Sequence, residues 1–165
     1  MVAKAESGIV SNALVIVASH RASQGIYEDT SGPILAQGLR DLGFSVELII
    51  VDDGEPVGEA LSEAINRKVE LIITSGGTGL TPRDLTPEMT SRFIEKSLPG
   101  IAEALRIDGI TQGIPTASLS RAVAGISKET LIINVAGSVG AARDAIRVLS
   151  PMLLHAIDQM KGGDH

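Results

Sequence analysis

One glycine-rich segment, TSGGTGLTPRDLTP over residues 74–87, carries the residue types best suited to chemistry in this 165-residue chain. Glycine has no Cβ, so the bend Ser75-Gly76-Gly77-Thr78-Gly79 can turn sharply and point several backbone N–H groups at one spot. Such a row of inward N–H groups is a concave anion site. Arg83 and Asp84 follow the bend and offer a cation and a candidate magnesium ligand. The segment therefore predicts chemistry on a phosphorylated ligand.

Taken alone, the glycine bend is equally compatible with a tight connection between a strand and a helix. It is not a P-loop, because no Gly-Lys-Ser or Gly-Lys-Thr follows it. It is not a dinucleotide fingerprint, since Pro82 occupies the place of the third glycine. Asp84 alone would most often cap a helix or pair with Arg83. The position of Asp84 beside an anion-binding bend favours a functional role instead.

A second carboxylate is available at the end of a neighbouring predicted strand, at Asp52. Magnesium is usually held by one or two carboxylates together with substrate phosphates. We therefore select Asp52 and Asp84 as candidate catalytic and metal-binding residues, with Mg²⁺ as the cofactor. Asp53, which precedes Gly54, is interpreted as part of a β-turn.

Arg121 is a candidate anion ligand, because a planar guanidinium binds phosphate or carboxylate through two N–H groups at once. Neither His20 nor His155 is expected to bind a metal, since they are far apart in the sequence and Arg21 stands beside His20. An attacking phosphate is already ionised near pH 7. We therefore expect no general base at the site.

The composition excludes several other classes of function. A net charge of −6 and only three aromatic residues, Tyr27, Phe44 and Phe93, argue against nucleic-acid binding. The chain has no cysteine, which excludes disulfides, zinc–thiolate sites and thiol nucleophiles. The longest apolar run, residues 13–18, is too short to span a bilayer, and no signal peptide is visible. We expect a cytoplasmic protein without membrane association.

Strands and helices are predicted to alternate along the chain. Strand patterns cover residues 12–18, 44–51, 70–74 and 130–135; helices are predicted from 31, from 56, near 87–97, over 99–107 and from about 141 to 160, with a kink at Pro151. Three strands are apolar without alternation, as in strands buried on both faces. We predict one α/β domain over residues 1–165, with three α/β/α layers, a mostly parallel central sheet, and loose ends at 1–11 and 161–165.

Polar residues follow four of the predicted strands, at residues 19–21, 52–53, 75–84 and 137–138. In open parallel sheets, ligands bind in the crevice outside the carboxyl ends of the strands. We therefore expect the four loops to meet at one site, with Gly137 and Ser138 among the residues that bind substrate.

The chain resembles the MogA/MoaB family of molybdenum cofactor biosynthesis proteins over nearly its whole length, from about Asn12 to the end of the last helix. The long SGGTG…RD…TP motif that begins at Ser75 carries most of this resemblance. Supporting motifs occur in the family's order: SHR with Gly25 and YED, then VDD, PG, LSR and LIIN, at residues 19–29, 51–53, 99–100, 119–121 and 131–134.

The resemblance implies a molybdopterin-binding fold and, for the MogA type, adenylyl transfer. In that reaction the terminal phosphate of molybdopterin attacks the α-phosphate of ATP with Mg²⁺ bound, and pyrophosphate leaves. The implied partners are molybdopterin, ATP, a downstream molybdenum insertase and further copies of the chain, most commonly in a homotrimer. The family's two essential aspartates map onto Asp52 and Asp84, its glycine loop onto residues 75–79, and the serine of its Leu-Ser-Arg motif onto Ser120.

One departure from the family pattern occurs after the fourth strand. The family usually has Asn-Leu-Pro-Gly-x-Pro there, whereas this chain has Ala136 and Val139 in place of the two prolines. Proline fixes φ, so we expect this loop to be less rigid. The difference favours an alternative function, a MoaB-like protein that binds pterin or nucleotide without adenylyltransferase activity. A second alternative is a scaffold that delivers pterin to a partner without turning over ATP.

Overall fold

A six-stranded sheet is the middle layer of the computed structural model, which describes residues 10–164. The strands are β1 (Asn12–Ala18), β2 (Ser45–Val51), β3 (Leu71–Ser75), β4 (Lys96–Ser97), β5 (Ala124–Ser127) and β6 (Thr130–Val135). Their order across the sheet is β2-β1-β3-β6-β5-β4. Strands β1, β2, β3 and β6 are parallel, and β5 runs antiparallel to both β6 and β4.

Helices connect these strands and cover the sheet. They are α1 (His20–Ser23), α2 (Ser31–Asp41), α3 (Glu55–Asn66), α4 (Thr86–Ser91), α5 (Pro99–Thr111) and α6 (Val139–Met160). A short 3-10 helix over Pro115–Leu119 follows α5. No helix within residues 10–164 is both long enough and apolar enough to cross a bilayer.

Apolar side chains fill both faces of the sheet. On one face, α2, α5 and α6 pack over Val15 and Ile73; on the other, α3 and α4 pack over Ile16 and Ile72. All four of these side chains are fully buried, and each contributes about 1.5–3 kcal/mol by leaving water. Burial on both faces explains the uninterrupted apolar runs in the sequence. The predicted three-layer α/β/α fold with a mostly parallel sheet is confirmed.

The antiparallel edge of the sheet differs from the sequence prediction. The helix predicted near residues 87–97 is wrong at its C-terminal end, because α4 stops at Ser91 and Lys96 and Ser97 form β4. These two residues pair with Ile126 and Gly125 of β5. Both strands are short and β4 is exposed, so no alternating pattern marks them. Pairing with a distant strand decides the conformation here, and local sequence does not show it.

The last helix begins at Val139, slightly earlier than predicted. Ser138 Oγ accepts a hydrogen bond from Ala141 N–H at 3.0 Å and so caps the helix. Pro151 lies inside α6 without dividing it into two helices. The carboxyl end of β6 is therefore followed almost at once by the N-terminus of a 22-residue helix.

Polar groups at the amino ends of the central strands pair with one another. Asn12 N–H donates to Glu70 Oε2 at 3.0 Å, and Glu70 N–H donates to Asn12 Oδ1 at 2.8 Å. Lys161 forms an ion pair with Glu70. Of the ends predicted to be loose, residues 1–9 and 165 lie outside the described residues, whereas Lys161 is held to the sheet by this ion pair.

Candidate active site

The glycine bend connects β3 to α4 around a row of free backbone amides. Gly76 and Gly77 have φ angles of +97° and +67°, in the left-handed region that favours glycine. Gly76 N–H donates to Val135 O at 2.9 Å, and Gly77 O accepts from Thr86 N–H at 3.0 Å. In the part of the chain that the structure describes, the N–H groups of residues 77–79 have no partner. The anion cradle predicted over residues 76–79 thus has three available donors.

Ser75, predicted to bind substrate, supports the bend from within the fold. It is buried, and its Oγ lies 3.0 Å from Ser31 Oγ in a hydrogen bond between β3 and the start of α2. Ser31 is itself fixed by Asp29, whose carboxylate accepts the N–H groups of Ser31 at 3.1 Å and of Gly32 at 3.0 Å. This placement favours a structural role for Ser75, in which it holds the glycine bend to the start of α2.

The carboxylates of Asp53 and Asp84 lie at the two ends of the row of free amides. A Cβ added to Gly77 would lie 3.2 Å from Asp53 Oδ1, and one added to Gly79 would lie 2.9 Å from Asp84 Oδ2. Asp53 Oδ2 accepts His20 N–H at 3.0 Å, and Asp84 Oδ2 accepts an N–H from the same loop at 2.8 Å. Each carboxylate keeps its Oδ1 without a hydrogen-bond partner among residues 10–164.

The surroundings of Asp53 disfavour the charged form of its carboxyl group. Burial, and then the negative charges of Asp52 and Asp84, raise the pKa of the Asp53 carboxyl above its ordinary value, against the opposing effect of the His20 N–H. Asp53 and Asp84 are thus close enough to repel each other. A divalent cation held between carboxylates would relieve that repulsion.

Asp52, selected from the sequence as the partner of Asp84, is engaged elsewhere. Both of its carboxylate oxygens lie 3.1 Å from His20 Nδ1, and Oδ1 also accepts Asp53 N–H at 2.8 Å. The hydrogen bond with His20 holds the pKa of Asp52 below its ordinary value. Both aspartates follow β2, and of the two it is Asp53 whose carboxylate lies beside the glycine bend. Asp53 lies beside Gly77 and is a further candidate for the second metal carboxylate, whereas the predicted metal-binding role of Asp52 stays a prediction.

Two arginines near the bend differ in what they contact. Arg121 Nε donates to Gly79 O at 2.9 Å, one of its terminal nitrogens donates to Asp84 O at 2.5 Å, and the other pairs with Glu88. The hydrogen bond with Glu88 is the main cause that raises the pKa of Arg121. Arg121, predicted as an anion ligand, thus stabilises the glycine bend through hydrogen bonds to its backbone carbonyls. Arg83 is exposed and makes no hydrogen bond or ion pair within residues 10–164, so it is free to meet a phosphate.

A cavity of about 260 Å³ opens next to Thr78 and Gly79. Its walls come from α5, the 3-10 helix, β6 and the start of α6, and they include Leu105, Ile114, Leu119, Arg106, Ser120 and Asp144. Ser120 Oγ donates to Thr78 Oγ1 at 3.3 Å, which joins the cavity wall to the glycine bend. The sequence patterns identify Thr78, Gly79, Ser120 and Ser138 but not the rest of the lining, because side chains from four separate elements form it.

The loop after β6 packs directly against the glycine bend. A Cβ added to Gly137 would lie 3.1 Å from Gly76 Cα, so the two glycines touch. The Gly76–Val135 hydrogen bond lies at the same junction. Ser138 lines the cavity while it caps α6. These contacts hold the loop in the absence of the family's two prolines, and the predicted loss of rigidity stays a prediction.

The donor set of the site suits Mg²⁺. Within residues 10–164, no three His, Cys, Asp or Glu side chains are placed to hold a metal ion by themselves. Magnesium does not require such a cage, because it is commonly held by one or two carboxylates and the phosphates of a substrate. Asp53 and Asp84 each offer a free oxygen beside amides suited to phosphate. The residues therefore fit a magnesium ion that arrives with a nucleotide.

Known proteins share this arrangement of strands and loops. Residues 13–155 match the model of a family described as a probable molybdopterin binding domain. The chain belongs to this family. The resemblance in the sequence is thus confirmed, and the chain is a molybdopterin-binding family member that takes part in molybdenum cofactor biosynthesis.

Relatives of this molybdopterin-binding family member are similar over most of its length. Molybdopterin adenylyltransferase from Helicobacter pylori is 36% identical over 154 residues, which cover 90% of this chain and 86% of the relative. A molybdenum cofactor biosynthesis bifunctional protein from Chlorobaculum tepidum is 40% identical over 153 residues, which cover 92% of this chain and 49% of the relative. The chain therefore spans about half the length of that bifunctional relative.

Solved structures of two family members superpose closely on this chain. The Mog protein from Mycobacterium ulcerans is 48% identical, with a TM-score of 0.87, and the match covers 91% of this chain and 99% of that one. The enzyme MoaB from Thermus thermophilus is 35% identical, with a TM-score of 0.85, and the match covers 92% and 97%. Both structures confirm the fold class.

Proposed function

We propose that this chain acts as a molybdopterin adenylyltransferase, which transfers AMP from Mg-ATP to the terminal phosphate of molybdopterin. The observation that carries this proposal is the row of free amides at residues 77–79, which lies between the carboxylates of Asp53 and Asp84 and borders the cavity. Such a site suits a polyphosphate at one end and a small organic molecule at the other. The name of the Helicobacter pylori relative supports the same reaction.

The nucleotide would lie against the glycine bend. The amides of residues 77–79 would donate to phosphate oxygens, and hydrogen bonds to charged groups of this kind contribute about 1.5–3 kcal/mol each. Arg83 would add a positive charge to the same phosphates. Asp53 and Asp84 would hold Mg²⁺, which offsets the negative charge that builds on pyrophosphate as it leaves.

The reaction exchanges one phosphorus–oxygen bond for another. An oxygen of the molybdopterin phosphate forms a bond to the α-phosphorus of ATP, and the bond from that phosphorus to the bridging oxygen of pyrophosphate breaks. The second pKa of a phosphate monoester lies near 6, so the attacking oxygen is largely ionised at neutral pH. No residue has to remove a proton. His20, paired with Asp52, is therefore free to act as a positioning group.

Molybdopterin would enter the cavity beside Thr78 and Gly79. The apolar walls exclude water from a flat ring system, and Ser120 and Asp144 offer hydrogen-bonding groups at the wall. The N-terminus of α6 begins at the same wall, and its dipole favours a negatively charged group nearby. This arrangement would direct the terminal phosphate of molybdopterin toward the glycine bend.

A second function is favoured by one observation in the sequence and one similarity. Ala136 and Val139 replace the family's prolines, and MoaB from Thermus thermophilus has nearly the same fold. The chain would then be a MoaB-like protein that binds pterin or nucleotide without adenylyl transfer. A delivery scaffold has less support, because it requires no pair of metal-binding carboxylates.

The proposal extends to assembly and partners. Ile107, Ile110, Ile114 and Leu119 are large apolar side chains exposed along α5 and the segment after it. A homotrimer that covers them fits the resemblance to the family, and light scattering of the purified protein measures its mass. The adenylylated product would pass to a molybdenum insertase in the cytoplasm, and the bifunctional relative is consistent with such a link.

The test is an assay of the purified chain with molybdopterin, ATP and Mg²⁺, in which pyrophosphate and adenylylated molybdopterin are both measured. We expect both products in equal amounts. The Asp84→Ala variant should fold normally and lose more than about 100-fold in rate, or about 2.7 kcal/mol in barrier height. Ligand binding by the wild type without pyrophosphate release would reject adenylyl transfer in favour of the MoaB-like function. An Asp84→Ala rate within about threefold of wild type would reject the metal site.

A further inference from the structure

Two buried hydroxyl groups lack a hydrogen-bond partner within the described residues, Thr86 Oγ1 and Thr130 Oγ1. Both threonines are fully buried. Thr130 begins β6, at the amino ends of the parallel strands and away from the site. Thr86 begins α4, directly after the loop that carries Asp84. A buried hydroxyl without a partner is unfavourable in the free protein, so one placed beside a ligand site points to a partner gained on binding.

The Thr86 hydroxyl lies against the glycine bend, on the side that Asp53 faces. A Cβ added to Gly77 would lie 2.2 Å from Thr86 Oγ1 and 3.2 Å from Asp53 Oδ1. The hydroxyl and the carboxylate oxygen thus share the small space beside one glycine. Asp53 Oδ1 also has no hydrogen-bond partner among residues 10–164. An unpaired donor and an unpaired acceptor therefore lie next to each other beside the free amides.

We propose that Thr86 is a positioning residue for Asp53: its hydroxyl donates a hydrogen bond to the Asp53 carboxylate when Mg-ATP binds, and so fixes the orientation of that carboxylate. This inference rests on the proposed function, because it requires Mg-ATP at the site. Thr86 is too deeply buried to touch the nucleotide itself. It acts through Asp53. Within the described residues the Asp53 carboxylate accepts one hydrogen bond, at Oδ2 from His20 N–H, so its Oδ1 can turn toward Thr86 or the metal.

The test measures Mg-ATP affinity by calorimetry and thermal stability by unfolding, for wild type and three variants. Thr86→Val removes the hydroxyl at almost constant shape, and we expect Mg-ATP to bind about tenfold more weakly, as for the loss of one hydrogen bond to a charged group. Its melting temperature should equal or exceed that of wild type, because the unpaired hydroxyl is gone. Thr86→Ser keeps the hydroxyl and should restore binding to within about twofold of wild type, while the lost methyl lowers stability.

Thr130→Val is the matched control, because it removes the other unpaired buried hydroxyl. As for Thr86→Val, the melting temperature of Thr130→Val should equal or exceed that of wild type. Its Mg-ATP affinity should equal that of wild type. Should Thr86→Val fail to fold, Thr86→Ala replaces it under the same affinity criterion. In an Asp53→Asn background, the Thr86→Val substitution should cause no further loss of affinity.

Three results would overturn the inference. The first is binding of Mg-ATP by Thr86→Val within about twofold of wild type, which would show that the hydroxyl is not used. Equal losses in Thr86→Val and Thr86→Ser would assign Thr86 to packing alone. Absence of Mg-ATP binding by the wild type would overturn the proposed function and this inference together, and that result is distinct from a failure of the threonine variants alone.

Discussion

The parallel strands have polar groups of the same kinds at their amino ends and at their carboxyl ends, here called the amino edge and the carboxyl edge. The two edges use these groups in opposite ways. At the amino edge, Glu70 exchanges two hydrogen bonds with Asn12 and forms an ion pair with Lys161, so these three residues are paired within the protein. At the carboxyl edge, the amides of residues 77–79 and one oxygen each of Asp53 and Asp84 have no partner among the described residues. Mutual pairing stabilises the fold, whereas unpaired groups at a shared edge are available to a ligand. Substitutions at the two edges should therefore have separable effects on stability and on function.

The largest expected effect comes from Gly77→Ala at the carboxyl edge. The substitution forces alanine to a φ of +67° and places its Cβ 2.2 Å from Thr86 Oγ1. We expect a loss of about 2–3 kcal/mol in the free energy of unfolding and more than about tenfold in adenylylation rate. Denaturant unfolding and the pyrophosphate assay measure the two effects.

Gly43→Ala is the control for this prediction. Gly43 has a φ of +97°, and a Cβ there would meet no atom within 4 Å. It should lose only the strain of the left-handed conformation, about 1–2 kcal/mol, and keep full activity. Suppose that the two variants are equally stable and that Gly77→Ala keeps its activity. The glycine bend would then accommodate a Cβ, and a close fit around the phosphate would be rejected.

A smaller effect is expected from Ser120→Ala in the cavity wall. The variant loses the hydrogen bond from Ser120 Oγ to Thr78 Oγ1, which is 3.3 Å long. We expect molybdopterin binding to weaken about three- to tenfold, equivalent to about 0.5–1.5 kcal/mol, and ATP binding to change less than twofold. Separate titrations with each ligand provide the comparison. Equal weakening of both would reject the assignment of the cavity to the pterin.

The smallest effect, confined to stability, is expected from Glu70→Gln at the amino edge. Burial raises the pKa of Glu70, but the hydrogen bonds from Lys161, Ser11 and Asn12 together outweigh it and hold that pKa below its ordinary value of 4.5. The carboxylate therefore stabilises the fold above pH 4.5, and this stabilisation is lost as the pH falls through the lowered folded-state pKa. The variant should lose about 1 kcal/mol at neutral pH and no activity.

Unfolding experiments between pH 7 and about pH 3 measure this difference between Glu70→Gln and wild type. The gap in unfolding free energy should shrink as the solution becomes acidic. A gap that stays constant with pH, or a loss of adenylylation in the variant, would show that the amino edge is not the purely structural region described above.

The sequence predicts the central part of this molecule well, for identifiable physical reasons. Long apolar runs in the sequence predict β1, β3 and β6. The carboxyl ends of parallel strands lie on the same side of a sheet. The pattern alone therefore predicts that the glycine bend meets the loops after β1, β2 and β6. Strand β4 has no such signal, because two exposed residues are fixed only by their pairing with β5. The cavity wall is similarly dispersed over four elements.

The choice between adjacent aspartates lay beyond the sequence. Asp52 and Asp53 are chemically identical and both follow β2, so only the fold shows that Asp53 lies beside Gly77 while Asp52 pairs with His20. The same holds for Arg83 and Arg121, since only the packing of Arg121 against Glu88 and Gly79 shows which guanidinium is already engaged. Residue type locates a site, whereas the direction of each side chain requires the fold.

The most direct test of this account is the Mg-ATP affinity of Asp53→Asn beside that of Asp52→Asn, measured by calorimetry. The two variants make the same chemical change at neighbouring positions, and only Asp53 borders the free amides. We expect Asp53→Asn to bind Mg-ATP more than about tenfold more weakly than wild type and Asp52→Asn to stay within about threefold. Equal losses in both variants, or a larger loss in Asp52→Asn, would contradict the assignment of the carboxyl edge as a magnesium–nucleotide site built on Asp53 and Asp84.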